Sequence, residues 1–310
     1  MAPATAGDPI TGLKWTRKTT AKASQELKRR GFHACARTIA RLLDSLKYKL
    51  RVNHKKLARG SAATQRVRDQ QFRYIEGLRA SFTAAGAPVI SVDSKKKELI
   101  GRFKNPGATW NKTATPVKDH DFRSEADAIA VPYGILDPAA NRGHVVVGIS
   151  HDTPAFAADA IALWWKNEGS LRYPHADKLL ILADNGGSNG SACRAWKHQL
   201  QTRLCDPFAL EVTVSHYPAG ASKWNPVEHR LFSYISSNWA GEPLLSLETM
   251  LNFIRTTKTK TGLHVRASLN KKHYPVGLKP STQEMKNLNL TPHQQLPKWN
   301  YTLAPRLDIM

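Results

Sequence analysis

Beyond residue 87 the chain alternates short apolar runs with helical patterns, and this order constrains the fold more than any other feature. Apolar runs bounded by turn residues predict buried strands, which fall at residues 89–92, 97–103, 144–150, 178–183 and 210–216. Helices are predicted at residues 154–167, 189–204, 226–237 and 246–257. We interpret residues 105–142, with their many Pro and Gly residues, as a loop-rich stretch.

Three acidic residues lie at the ends of these predicted elements. Asp93 closes the first strand, Asp184 closes the strand after the first helix, and Glu228 lies one turn into the helix after the last strand. This order is that of the ribonuclease-H-like fold, an α/β architecture with a mixed sheet flanked by helices. We therefore expect Asp93 and Asp184 side by side on adjacent central strands, with Glu228 beside them.

Three carboxylates on rigid elements suit the cleavage of a phosphodiester. Two Mg²⁺ ions about 3.5–4 Å apart stabilise both the attacking and the leaving oxygen in such reactions. Mg²⁺ prefers oxygen ligands, and no His or Cys cluster in the sequence favours a softer metal. The sequence thus predicts that Asp93, Asp184 and Glu228 bind two Mg²⁺ ions, for which Mn²⁺ can substitute.

Each acid also has a purely structural explanation. Asp93 and Asp184 are residues that commonly begin turns. Asn225, as N-cap before Pro226, and Glu228 together resemble a capping box. The order of elements favours catalysis for all three acids together. The glycine-rich residues 186–190 lack the spacing of a nucleotide-binding loop, and we interpret them as room for a DNA backbone near Asp184.

The first 82 residues carry most of the net positive charge. They hold 19 Lys and Arg against 5 Asp and Glu, and so contribute +14 of the formal net charge of +22. Such an excess favours a polyanionic partner, nucleic acid before an anionic membrane surface. The sequence has no transmembrane-length apolar run, no secretory signal and no C-x-x-C motif. We expect a cytoplasmic, nucleoid-associated protein that binds double-stranded DNA and no membrane.

Two predicted helices near the N-terminus form a helix-turn-helix pattern. They span residues 19–30 and 36–46, and Gly31 ends the first. The second helix has an apolar stripe at Ile39, Leu42, Leu43 and Leu46, which we expect to face its own core. Arg37, Thr38 and Arg41 on the opposite side are predicted to contact bases in the major groove. A plain helical hairpin that only packs is the alternative.

Three further basic or helical segments follow. Residues 47–56 are interpreted as a wing or an arm, and residues 62–85 as a connector helix. Lys95, Lys96 and Lys97, next to Asp93, are equally consistent with DNA binding and with a solvated surface.

Several motifs, in order along the chain, resemble the ISAzo-type DDE transposases of bacterial insertion sequences. They are residues 91–98 (SVDSKKKE), 120–122 (HDF), 183–190 (ADNGGSNG), 222–233 (SKWNPVEHRLFS), 238–239 (NW), 256–263 (TTKTKTGL) and 299–302 (WNYT). The Asn-Pro-x-Glu element is shared more loosely with mariner-like transposases. The resemblance runs from about Leu13 to residue 302. Because that family usually carries a further helical segment upstream, it predicts an N-terminally short copy with weaker end recognition.

The resemblance implies a transposase whose DDE triad is Asp93, Asp184 and Glu228. Such an enzyme binds the terminal repeats of its element as a homo-oligomer, cuts DNA with water and joins the freed 3′-hydroxyl to target DNA. We expect a helix-turn-helix region at 1–60, a connector at 61–86, a catalytic domain at 87–275 and a tail packed on it at 276–310. A metal-dependent nuclease without strand transfer and a non-catalytic DNA-binding regulator are the alternatives.

Overall fold

Two units make up the chain in the computed structural model, Met1–Lys56 and Leu57–Met310. The structure describes residues 5–7, 14–16, 18–49 and 65–306. Within these residues, no helix has both the length and the apolar character needed to cross a membrane. The predicted wing at residues 47–56 and the start of the predicted connector at residue 62 lie largely outside the described residues.

The smaller unit contains a two-stranded antiparallel ribbon and two helices. The ribbon pairs β1 (Thr5–Gly7) with β2 (Lys14–Thr16), and the helices are α1 (Thr20–Arg29) and α2 (Ala36–Ser45). The Thr19 hydroxyl caps α1 by accepting from the Lys22 amide at 3.2 Å. Both helices lie within one residue of their predicted bounds.

The apolar stripe of α2 is only partly covered, contrary to the sequence prediction. Ile39 is buried and Leu43 is half-buried, but Leu42 and Leu46 are 52% and 66% exposed. Two short helices that pack on each other cover only the residues along their line of contact. The apolar spacing therefore predicted the helix correctly and overstated its burial.

A nine-stranded sheet is the centre of the larger unit. Its strands are β3 (Val89–Ser94), β4 (Glu98–Ile100), β5 (Ala128–Asp137), β6 (Arg142–Gly148), β7 (Lys178–Ala183), β8 (Glu211–His216), β9 (His264–Asn270), β10 (Leu290–Pro292) and β11 (Asn300–Leu303). The order is β10-β11-β8-β7-β3-β5-β6-β9, with β4 also paired to β5. Strands β3, β7 and β8 run parallel, and β5 is antiparallel to β3 and β6. The mixed ribonuclease-H-like sheet is thus confirmed.

Helices cover both faces of this sheet. They are α3 (Gln65–Ala84), α4 (Pro154–Trp164), α5 (Ser170–Arg172), α6 (Arg194–Leu200), α7 (Asp206–Phe208), α8 (Ser233–Asn238), α9 (Leu247–Arg255) and α10 (Thr282–Lys286). Helices α4 and α6 share one apolar core with the sheet, whereas α8 and α9 share a second core with it. Helix α3 packs on β3 and β7 through Ile75 and Phe82.

Strand β5 lies inside the segment that we predicted to be loop, so that prediction was wrong. Pro132 and Gly134 suggested turns, but both are buried in this ten-residue strand. The Pro132 carbonyl accepts from the Lys95 amide at 2.9 Å, beyond the last residue pair between β3 and β5. The N–H that Pro132 lacks would lie on the same side, opposite Lys95, so the hydrogen-bonded ladder between β3 and β5 ends at Pro132.

Gly134 and Gly143 let the segment that carries Glu228 approach the sheet closely. A Cβ at Gly134 would collide with the ring of Phe232, and one at Gly143 would collide with the side chain of Leu231. Both apolar side chains belong to the π-helical turn Glu228–Phe232, which continues into α8. The two glycines therefore set the height of Glu228 above β5 and β6.

The C-terminal residues extend the sheet, which the sequence did not predict. Strand β11 pairs antiparallel with β8, and β10 pairs with β11. The buried Asn300 amide exchanges hydrogen bonds of 2.8 Å with the buried Gln71 amide of α3. This polar pair joins α3 to β11.

Candidate active site

The two aspartates predicted to be catalytic lie at the C-terminal ends of two adjacent parallel strands. Val92 of β3 is in register with Ala183 of β7, and Asp93 and Asp184 are the next residues along each strand. The Asp93 carboxyl also shares a hydrogen bond with Glu228. The structure thus brings the three acids together, on two strands and one helical turn.

A hydrogen-bond network between β3 and the Glu228 turn fixes this arrangement. The Asn225 side chain donates to the Val92 carbonyl at 3.1 Å and accepts from the Ser91 hydroxyl at 2.5 Å. The Ser91 hydroxyl in turn accepts from the Val227 amide at 2.9 Å. Ser91, and not the predicted N-cap Asn225, therefore supplies the side-chain cap, and the Glu228 carboxyl faces Asp93 instead of closing a capping box.

The three carboxyls repel one another in a half-buried setting. Burial, the charge of Asp184 and the hydrogen bond with Glu228 raise the pKa of Asp93 to about 9. Burial also raises the pKa of Asp184, and the charges of Glu228 and Asp152 add to that effect. A cation among these oxygens would relieve the repulsion, so the electrostatics fit a divalent metal ion.

The donor set is made of oxygen atoms, which is what Mg²⁺ prefers. In the part of the chain that the structure describes, no group of three or more His, Cys, Asp or Glu side chains forms a ready-made metal site. Mg²⁺ commonly takes one or two carboxylates and completes its shell with water and substrate phosphate. The arrangement suits an ion that binds together with DNA.

A fourth carboxylate, Asp152, borders the site and was missed at the level of sequence. It accepts hydrogen bonds from the Ser94 hydroxyl at 3.0 Å and from the Ser188 hydroxyl at 2.8 Å. Ser94 directly follows Asp93, and Ser188 belongs to the loop after Asp184. Asp152 therefore ties together the two segments that carry the predicted catalytic aspartates.

The loop after Asp184 is held by its own polar groups. The Gly186 amide donates to the Asp184 carboxylate at 3.2 Å, and the Ser191 hydroxyl donates to the Asn185 side chain at 2.6 Å. Gly187 has a φ of +61°, a conformation that favours glycine. The exposed glycines 186 and 187 leave the approach to Asp184 free of side chains.

The family model described as the Rhodopirellula transposase DDE domain matches residues 1–305. The chain belongs to this DDE transposase family. The ISAzo-type resemblance of the sequence is thereby confirmed. No curated protein gives a significant match.

Among solved structures, the chain is similar to Mos1 transposase. The Mos1 transposase paired-end complex with left transposon end has 13% identity and a TM-score of 0.45, over 76% of this chain and 65% of that one. The pre-cleavage Mos1 transpososome has 12% identity and a TM-score of 0.43, over 76% of this chain and 66% of that one. The chain therefore spans just under two thirds of these two Mos1 chains.

The three lysines next to Asp93 in this DDE transposase have different surroundings. Lys95 is buried, pairs with Glu98, and lies 4.8 Å from the ring centre of Trp239. Lys96 and Lys97 are exposed. The Lys95 ammonium therefore neutralises a buried carboxylate, whereas Lys96 and Lys97 are accessible, and DNA contact by the three lysines stays a prediction.

The predicted base-contacting residues lie together on α2. Arg37 and Arg41 are exposed one helical turn apart, and Thr38 is half-buried. The Thr38 hydroxyl lies 3.2 Å from the Cys35 sulfur at the start of the helix. Both guanidinium groups therefore project from the same side of α2, while Thr38 already has a partner within the protein.

Proposed function

We propose that this chain is a Mg²⁺-dependent DNA transposase that cuts DNA at the ends of its element and joins the freed 3′-hydroxyl to target DNA. The observation that carries this proposal is the convergence of Asp93, Asp184 and Glu228 at one edge of the sheet in a chain of the DDE transposase family. The alternatives are a nuclease that cuts without joining and a regulator that only binds DNA.

The proposed roles follow from the contacts of each residue. Asp93, Asp184 and Glu228 would hold the metal ions, which supply Lewis-acid stabilisation of the attacking and leaving oxygens when bound. Asp152 positions the segments that carry the two aspartates. The exposed glycine loop gives the DNA backbone access to Asp184, and Lys96 and Lys97 attract its phosphates.

We assign the N-terminal helices to recognition of the terminal repeats. Helix α2 offers two exposed arginines, and an Arg bidentate to guanine is the commonest specific base contact in the major groove. The catalytic unit lies in a separate part of the chain. Transposition joins two ends to one target, so we propose that the protein acts as a homo-oligomer on DNA.

One experiment separates the three functions. The purified protein is incubated with Mg²⁺, a labelled duplex of an element end and a supercoiled target plasmid, and the products are resolved on denaturing gels. A transposase yields both cut ends and ends joined to the plasmid. Cut ends without joined products would favour the nuclease, and DNA binding without cleavage would favour the regulator.

Asp152→Ala should lower the cleavage rate by about 10- to 100-fold, the usual cost of losing a group that orients metal ligands. The variant loses the acceptor of both serine hydroxyls, so the Asp93 and Asp184 segments lose their connection. Asp152→Asn retains an acceptor oxygen and should lose less. The rate and the Mg²⁺ concentration that gives half-maximal cleavage are measured for both. The exposed Asp177→Asn serves as a matched control, and wild-type behaviour of Asp152→Ala would exclude a positioning role.

Arg37→Ala or Arg41→Ala should lower the preference for element ends over scrambled DNA by about 1–3 kcal/mol. Metal-dependent nicking of non-specific plasmid should persist, because the acids lie in the other unit. Competition binding with cognate and scrambled duplexes measures the first effect. Lys28→Ala on the exposed side of α1 is the control, with weaker binding to both duplexes. An unchanged cognate-to-scrambled ratio in both arginine variants would favour the plain helical hairpin.

A further inference from the structure

One tryptophan is fully exposed on the catalytic unit. Trp110, in the loop between β4 and β5, has a relative exposure of 105%, whereas Trp164, Trp165, Trp196 and Trp239 are buried. An indole left in water forgoes the burial that usually places this side chain in a core or an interface. A ligand that covers a flat aromatic face would recover that burial.

Glu242 holds the loop on both sides of Trp110. Its carboxylate accepts from the Thr109 hydroxyl at 2.8 Å and from the Asn111 side chain at 2.5 Å. The Asn105 side chain donates to the Glu242 carbonyl at 2.7 Å, and the Gly241 amide donates to the Pro106 carbonyl at 3.0 Å. The residues next to the indole are thus anchored to one carboxylate while the indole itself points into solvent.

Glu242, which anchors this loop, follows the helical segment that begins at Glu228. Glu242 follows Trp239, which ends α8 and lies under the ammonium of Lys95, two residues beyond Asp93. From Glu228 to the end of α8 is about 15 Å at the helical rise per residue. That length is about four to five nucleotides at 3.4 Å each along one strand. Glu228 and the anchor of the loop thus lie near the two ends of one helical segment.

The charge around the indole favours nucleic acid as its ligand. Lys104 and Lys112, on either side of Trp110 in the loop, are exposed, and the chain carries a net charge of +22. Lysines beside an exposed aromatic ring are the two features by which proteins bind unpaired nucleotides, through phosphate attraction and base stacking. A base paired within a duplex offers only its edges, so the ring requires an unstacked base.

We propose that Trp110 is a stacking site for an unpaired DNA base, presented by the Glu242-anchored loop. This inference rests on the proposed DNA substrate and adds a preference for DNA that contains an unstacked base. An aromatic side chain stacked on one base strengthens binding by about 5- to 150-fold.

The full-length protein is tested without metal, by fluorescence anisotropy, on three labelled probes. These are a paired duplex, the same duplex with one unpaired nucleotide, and the single strand. Wild type should bind the last two probes about 5- to 150-fold more tightly than the paired duplex. Trp110→Ala should lose this added affinity, and Trp110→Phe should largely retain it. Glu242→Ala should lose part of it, since the indole stays but its loop is released. Leu278→Ala, at another exposed apolar residue, is the control.

The outcomes distinguish this inference from the proposed function. Equal affinity of wild type and Trp110→Ala for the probe with an unpaired nucleotide would overturn the stacking site, while normal duplex binding would leave the transposase proposal in place. Failure of wild type to bind any of the three probes would contradict the proposed function itself. Light scattering gives the molar mass of the protein in solution. If Trp110→Ala changes this mass but not the affinity for DNA, the indole contacts a second copy of the chain and the proposal is overturned.

Discussion

Asp93→Asn, Asp184→Asn and Glu228→Gln should each lower Mg²⁺-dependent cleavage by on the order of 10³-fold or more, the scale at which loss of one stabilising group acts in an active site. Affinity for DNA should stay near the wild-type value, because none of the three acids contributes to the basic surface. Cleavage of an end-labelled duplex gives the rate, and anisotropy of the same duplex gives the dissociation constant.

Glu228→Gln is the most informative of these variants. An amide can still cap a helix, so a purely structural Glu228 would tolerate the change, whereas a metal ligand would not. Glu248→Gln in the first turn of α9 is the matched control, for which we expect wild-type cleavage. Cleavage by Glu228→Gln at the wild-type rate would remove Glu228 from the triad.

A second measurement on Asp93→Asn separates lost chemistry from lost folding. Burial and the neighbouring acids raise the pKa of Asp93 to about 9, above its value in the unfolded chain. The protonated carboxyl is thus favoured in the folded protein. Its contribution to stability is lost as the pH rises from the pKa of the unfolded chain to the folded pKa of about 9. Asn removes the ionisation, so the metal-free variant should melt no lower than wild type at pH 8. A lower melting temperature would attribute the loss of cleavage to a damaged fold.

The central strands and both aspartates could be predicted because a buried parallel strand is a continuous apolar run that ends where the acids begin. Strand β5 could not be predicted, because Pro132 and Gly134 are residue types that are typical of turns. Their place in a strand is explained only by their contacts with neighbouring segments. In the sheet, Pro132 lies where the pairing of β5 with β3 ends, and Gly134 faces the ring of Phe232. Both residues therefore serve tertiary contacts that leave no periodic pattern.

The residues that support the site were harder to predict than the acids. Asn225 looks like a helix cap in sequence, but its side chain bonds to β3, more than 130 positions away. Asp152 reaches hydroxyls that are 58 and 36 positions away. The spacing of residues along the chain predicts contacts only within one helical turn or one hairpin. Contacts between distant segments therefore required the structure.

Binding of DNA should weaken by about 10³–10⁵-fold between 50 and 200 mM salt, if the protein contacts 6–10 phosphates. Lysines and arginines displace counterions from the DNA backbone, and added salt opposes their release. Residues 1–82 supply +14 of the net charge of +22, so most of this dependence should originate there. The dissociation constant of a scrambled duplex, measured over a series of salt concentrations, gives the slope.

Single substitutions then show which charges contact phosphates and which read bases. Lys28→Ala on α1 should reduce the salt slope by about one if that lysine contacts a phosphate, with equal loss for cognate and scrambled DNA. Arg41→Ala should instead change the ratio between the two duplexes, because a base contact discriminates sequence and a phosphate contact does not. Glu211→Gln at an exposed acid of β8 controls for a change of net charge alone. A flat salt response in the wild-type protein would contradict DNA as the partner, since a chain of this charge cannot bind a polyanion without releasing its counterions.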